Sequence, residues 1–130
     1  MLDVAALRRE FPTLQHGVGG RRLVYLDAAA SAQTPRVVLD AMERYYGAGR
    51  SNVHRGVYPL AEAATAGYEG GRAALARFLG ADPRGVVLTK NATEACNLVA
   101  YGHVRRHLRP GDAILSTVME HHANMVPFWH

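Results

Sequence analysis

The sequence predicts an α/β fold. Two apolar runs, 85–89 (GVVLT) and 113–118 (AILSTV), flank a helical pattern over about 94–108, which is the order of a βαβ unit. Earlier in the chain, two further helical patterns alternate with glycine- and proline-marked turns. The composition is 48% hydrophobic and 20% charged over 130 residues, which suits one folded domain rather than a disordered segment.

Taken in order, Asp3 is placed to cap a short helix that Pro12 stops. Gly17, Gly19 and Gly20 mark a turn, and 23–27 (LVYLD) reads as a short strand. The small-residue stretch 28–32 (AAASA) lets backbone approach a ligand closely. Thr34 and Pro35 read as cap and first residue of a helix running to about Tyr46, ended by Gly47 and Gly49. The polar loop 50–59 (RSNVHRGVYP) is longer than most connections, and long loops are often functional. A second helix is expected over 60–79. Leu60, Ala64, Tyr68, Gly71, Leu75 and Phe78 form its buried stripe, and Gly80 is its C-terminal cap. The turn 109–112 (RPGD) leads into the second apolar strand of the βαβ unit, and a polar turn, 119–124 (MEHHAN), follows it.

Charge and cysteine content exclude several classes. The net charge of +4 comes from scattered arginines with no aromatic interleaving, so nucleic-acid binding is not expected. No apolar run approaches the roughly 18 residues of a membrane span, and the first ten residues lack a signal-peptide core. The single cysteine, Cys96, forbids an intrachain disulfide and is consistent with a reducing compartment, so a cytoplasmic location is expected. There is also only one lysine, Lys90.

The chemistry is expected where the two parallel strands end, because ligands of open α/β sheets bind at that edge. After the first strand, Ala92 is small and Thr93 sits at the expected N-cap, an arrangement that suits a phosphate and also suits an ordinary cap. After the second, Glu120, His121, His122 and Asn124 offer polar groups. A flat imidazole there can stack on an aromatic ring or move protons near neutral pH. No zinc motif is present, and no metal is expected at His121 and His122 or at His103 and His107, four apart on a helix.

The series 25–35 (YLDAAASAQTP), 52–58 (NVHRGVY), 89–100 (TKNATEACNLVA) and 119–129 (MEHHANMVPFW) resembles the start of a group II cysteine desulfurase, a class V aminotransferase-fold enzyme. The resemblance runs from about Phe11 to the last residue. It implies the N-terminal part of a type I pyridoxal-phosphate transferase fold, with 1–33 as arm and first strand segment and 34–130 as the beginning of the large cofactor-binding domain. It implies pyridoxal 5'-phosphate as cofactor and conversion of L-cysteine to L-alanine plus an enzyme persulfide, supplying sulfur for iron–sulfur cluster assembly. Ala92 and Thr93 resemble the phosphate-binding turn. His121 resembles the catalytic histidine that stacks on the pyridine ring, and His54, Arg55, Ala29 and Ala30 resemble substrate-proximal positions. A sulfur-acceptor protein and a homodimer are implied for the full enzyme.

The sequence departs from the family's pattern in its reactive groups. The resemblance implies a Schiff-base lysine and a nucleophilic cysteine, and neither Lys90 nor Cys96 stands at those positions. Both groups, and the arginine that holds the substrate carboxylate, are expected further along a longer chain. The 130 residues alone are expected to be inactive. Alternatives within the superfamily are a selenocysteine lyase, a kynureninase-like hydrolase or an epimerase. Outside it, the alternatives are a non-catalytic module that binds a phosphate or a protein partner, and, further behind, a metal-binding protein using His121 and His122.

Overall fold

The computed structural model describes residues 1–129. The chain divides into two compact units, Met1–Gly71 and Arg72–His130, with the division falling inside the longest helix.

In the first unit, Asp3 caps helix α1 (Val4–Arg9) by accepting the Ala6 N–H at 2.9 Å, and a 3₁₀ turn at Pro12–Gln15 follows. Strands β1 (Gly17–Val18) and β2 (Arg21–Arg22) form a two-residue hairpin, with Gly17 opposite Arg22 and Val18 opposite Arg21. Gly19 and Gly20 both have positive φ, as that tight turn demands. The Arg8 guanidinium ties the arm together by donating to the Leu14 and Leu23 carbonyls at 2.6 and 2.7 Å.

Helix α2 spans Arg36–Arg44 and continues as one π-helical turn, Tyr45–Gly49. Its start corrects the sequence expectation. Pro35 takes the cap position and no side chain caps it, so Thr34 is not the cap. The reason is tertiary: the Glu10 carbonyl accepts the Arg36 N–H at 2.7 Å and satisfies a donor that a cap would otherwise serve.

Helix α3 (Pro59–Leu79) matches the expected second helix to within a residue. Gly80, at φ 65°, ends it in a Schellman arrangement: its N–H donates to the Arg77 carbonyl and the Ala81 N–H to that of Ala76. The expected buried stripe is not formed. Ala64 is buried, but Leu60, Tyr68 and Leu75 are exposed and Phe78 is 87% exposed. The side chains buried on α3 are alanines: Ala61, Ala64 and Ala76.

In the second unit, helix α4 (Ala92–Val99) runs into a π-helical turn, Ala100–Val104, and a last turn α5 (Arg105–His107). Helix α6 (His122–Met125) packs against α4 and continues as a 3₁₀ turn, Val126–Phe128. The segments at 23–27, 86–89 and 113–117 run without ladder partners. Among the described residues the β1–β2 hairpin is the only sheet. The expected parallel ladder of the βαβ unit is therefore not formed between its two apolar runs. A strand is made by its neighbour's hydrogen bonds, not by its own apolar content, and among the described residues neither run has a ladder partner. Their side chains remain open to solvent: Leu115 is 98% and Val118 100% exposed.

Candidate functional site

The turn into α4 is built by a reciprocal cap. Asn91 is the N-cap, and its side-chain oxygen accepts the Glu94 N–H at 2.9 Å. Glu94 reaches back to accept the Lys90 N–H at 2.8 Å, and the Lys90 ammonium lies 3.9 Å from the same carboxylate. Thr93 is thus the second residue of the helix rather than its cap. This correction frees its hydroxyl, which makes no hydrogen bond to a described residue. The N–H groups of Ala92 and Thr93 open the helix and have no intrahelical acceptor. The spacing Asn91-x-x-Glu94 is a capping-box signature that was available in the sequence.

His121 caps α6. Its Nδ1 accepts the Ala123 N–H at 3.1 Å, so the proton of the neutral ring sits on Nε2. The His122 ring stands edge-on to it, centroids 6.3 Å apart. Glu120 is held by the Asn124 side-chain amide at 3.0 Å. Because α6 packs against α4, the second unit brings the elements that carry Ala92, Thr93 and His121 together.

The remaining candidates lie in the first unit. Ala29 and Ala30 are exposed in a turn closed by the Ser31 N–H donating to the Asp27 carbonyl at 3.1 Å. The Tyr25 hydroxyl braces that turn by donating to the Ser31 carbonyl at 2.6 Å. His54 has φ 64°, a left-handed conformation costing about 1–2 kcal/mol for a residue with a Cβ. Its N–H donates to the Thr65 hydroxyl at 2.9 Å, and its Nε2 donates to Glu69 at 2.8 Å. Arg55 is exposed and pairs with no described residue. The contacts of His54 with Thr65 and Glu69, 11 and 15 positions away, left no local signal in the sequence.

Lys90 directly precedes the α4 cap, and Cys96 lies in the helix body. Lys90 is exposed beside Glu94, and Cys96 is a half-buried free thiol.

Residues 24–130 match the class-V aminotransferase family. The chain belongs to that family. It is 49% identical over 125 residues to a probable cysteine desulfurase of Synechocystis, covering 95% of this chain and 30% of the relative. A probable cysteine desulfurase of Vibrio cholerae is 46% identical over 98% of this chain and 32% of its own length. The chain thus spans about a third of the curated relatives it matches. Among solved structures, the apo cysteine desulfurase of Thermococcus onnurineus matches with a TM-score of 0.85 at 38% identity. That match covers 99% of this chain and 30% of that one. The class-V aminotransferase chain therefore shares part of the type I pyridoxal-phosphate fold, as its motifs implied.

Proposed function

We propose that these residues form the cofactor-phosphate and ring-facing part of a pyridoxal-phosphate-dependent cysteine desulfurase. The observation that carries this is the start of α4. Two uncommitted backbone N–H groups, a free Thr93 hydroxyl and the small Ala92 face outward there, and the capping carboxylate of Glu94 is already engaged by Lys90. Such a helix start suits a phosphate dianion. The His121 ring also fits: its Nδ1 is committed to Ala123, leaving the ring face and Nε2 for a stacked heterocycle and a proton. When bound, the cofactor supplies an electron sink for bonds at the amino-acid α-carbon. The chain's own residues bind the phosphate, orient the ring and hold a proton at His121 Nε2. Ala29, Ala30, His54 and Arg55 belong to the substrate side.

The names of the relatives support L-cysteine as the substrate; in this reading the products are L-alanine and a protein-bound persulfide, passed to a sulfur acceptor in iron–sulfur cluster assembly. The enzyme works as a cytoplasmic homodimer, with 1–33 as its arm and 34–130 opening its large domain. No described helix is long and apolar enough to cross a membrane.

The test is a chimera joining these residues to the remaining two-thirds of the Synechocystis relative, loaded with pyridoxal phosphate and assayed for alanine from L-cysteine. Turnover is expected, with Thr93→Val weakening cofactor retention and His121→Ala lowering kcat. A folded, cofactor-loaded chimera that makes no alanine overturns the proposal. The 130-residue chain alone is expected to show no turnover above free cofactor. Its one lysine and one cysteine are tied to the α4 cap and helix body. Product assays, not absorbance, decide this, because Lys90 can react with the aldehyde.

A further inference from the structure

His54 is the one non-glycine residue with positive φ among those described. A residue persists in that conformation only when its surroundings over-determine it. Here helix α3 does so with three residues on one face, at positions i, i+3 and i+4. The Thr65 hydroxyl donates to the Ala61 carbonyl at 2.8 Å, which turns its lone pairs toward the His54 N–H. The Tyr68 ring meets the imidazole edge-on, centroids 5.4 Å apart. Glu69 accepts from Nε2 at 2.8 Å, so the imidazole proton is committed to a carboxylate. The loop is pinned at its ends as well. Ser51 and Tyr58 share a hydrogen bond of 2.7 Å, and Gly56 lies so close to Ala61 and Tyr58 that a Cβ has no room. Between these fixed points, the Arg55 guanidinium is exposed and pairs with no described residue.

We infer that Thr65, Tyr68 and Glu69 are positioning residues that hold His54 left-handed so that the loop presents Arg55. The His54 ring is part of the clamp rather than a proton-transfer group, and the cation is what the loop offers. Its chemistry suits a second contact to the carboxylate of an amino-acid substrate, beside the arginine expected further along the longer chain. The assignment of Arg55 to substrate rests on the desulfurase proposal; the clamp itself does not.

Two measurements test it. In the 130-residue chain, trypsin cleavage after Arg55, followed by mass spectrometry, should accelerate about tenfold in Thr65→Val and Glu69→Leu. Cleavage after Arg84 and Arg106 should be unchanged, and Thr65→Ser should restore the wild-type rate. The ¹⁵N signals of the His54 ring should move from a fixed Nε2–H tautomer to a solvent average in Glu69→Leu. Wild-type cleavage and ring signals in both variants overturn the clamp. In the chimeric holoenzyme, Glu69→Leu should lower kcat/KM for L-cysteine about tenfold. Arg55→Ala should do the same, and the double variant should lose little more. Unchanged kcat/KM alongside a loosened loop overturns the positioning role. If the chimera is inactive in every form, the desulfurase proposal fails and the clamp stands or falls on proteolysis and ring signals.

Discussion

Replacing Asn91 by alanine removes the oxygen that accepts the Glu94 N–H at 2.9 Å. Loss of an N-cap acceptor costs about 1 kcal/mol of helix stability. The reciprocal bond from Lys90 N–H to Glu94, 2.8 Å, is not removed but loses its geometric partner. The site is exposed, so water serves the freed N–H in part and the cost stays near that value. One kcal/mol is roughly a fivefold change in the local opening equilibrium. Amide hydrogen exchange at Cys96, Asn97 and Leu98 should therefore quicken about fivefold in Asn91→Ala. Thr93→Ala is the control. As the second helical residue, Thr93 donates no cap, and alanine is the better helix former. Exchange should be unchanged or slightly slower. If Thr93→Ala quickens exchange as much as Asn91→Ala, the cap is Thr93 after all, and its hydroxyl is not free for a phosphate.

Other perturbations follow from the same geometry. Gly56→Ala places a Cβ against Ala61 and 2.8 Å from the Tyr58 ring. Overpacking of that kind costs about 1–3 kcal/mol, and thermal unfolding should report a loss of stability. Gly80→Ala puts a Cβ on a residue at φ 65° in open space. Only the backbone term applies, about 1–2 kcal/mol, readable by urea titration, with Gly80→Asn losing less. The Arg84 guanidinium, and then its backbone N–H, hold the Asp82 carboxyl below its ordinary value. A depressed folded value means that the contribution is present above the unfolded value and is lost as pH falls through the folded one. The Asp82 carboxylate signal should thus titrate below that of an unfolded peptide, and Asp82→Asn should remove the acid dependence of the 3₁₀ turn at Pro83–Gly85.

Local features read well from the sequence because their causes are local. Asp3 caps α1, Gly19 and Gly20 turn the hairpin, and Gly80 ends α3, each through contacts spanning a few residues. The polar groups that gather after the apolar runs were legible for the same reason, and motif resemblance supplied their roles. Three things were not legible. The helix at Arg36 begins without Thr34 because Glu10, 26 positions earlier, satisfies its first donor. His54 is held by α3, and no periodicity announces a pairing between loop and helix across 15 positions. The apolar runs at 86–89 and 113–117 carry strand-like side chains yet pair with nothing described.

The contrast has one physical origin. Turn chemistry, capping and helical periodicity are properties of a chain within a few residues of itself, so composition and spacing specify them. A strand's ladder, a left-handed histidine and a helix start without a side-chain cap each depend on a hydrogen-bond partner remote in sequence. Only the folded chain chooses those partners, because the free energy of each such bond is realised when the two segments meet and is absent until they do.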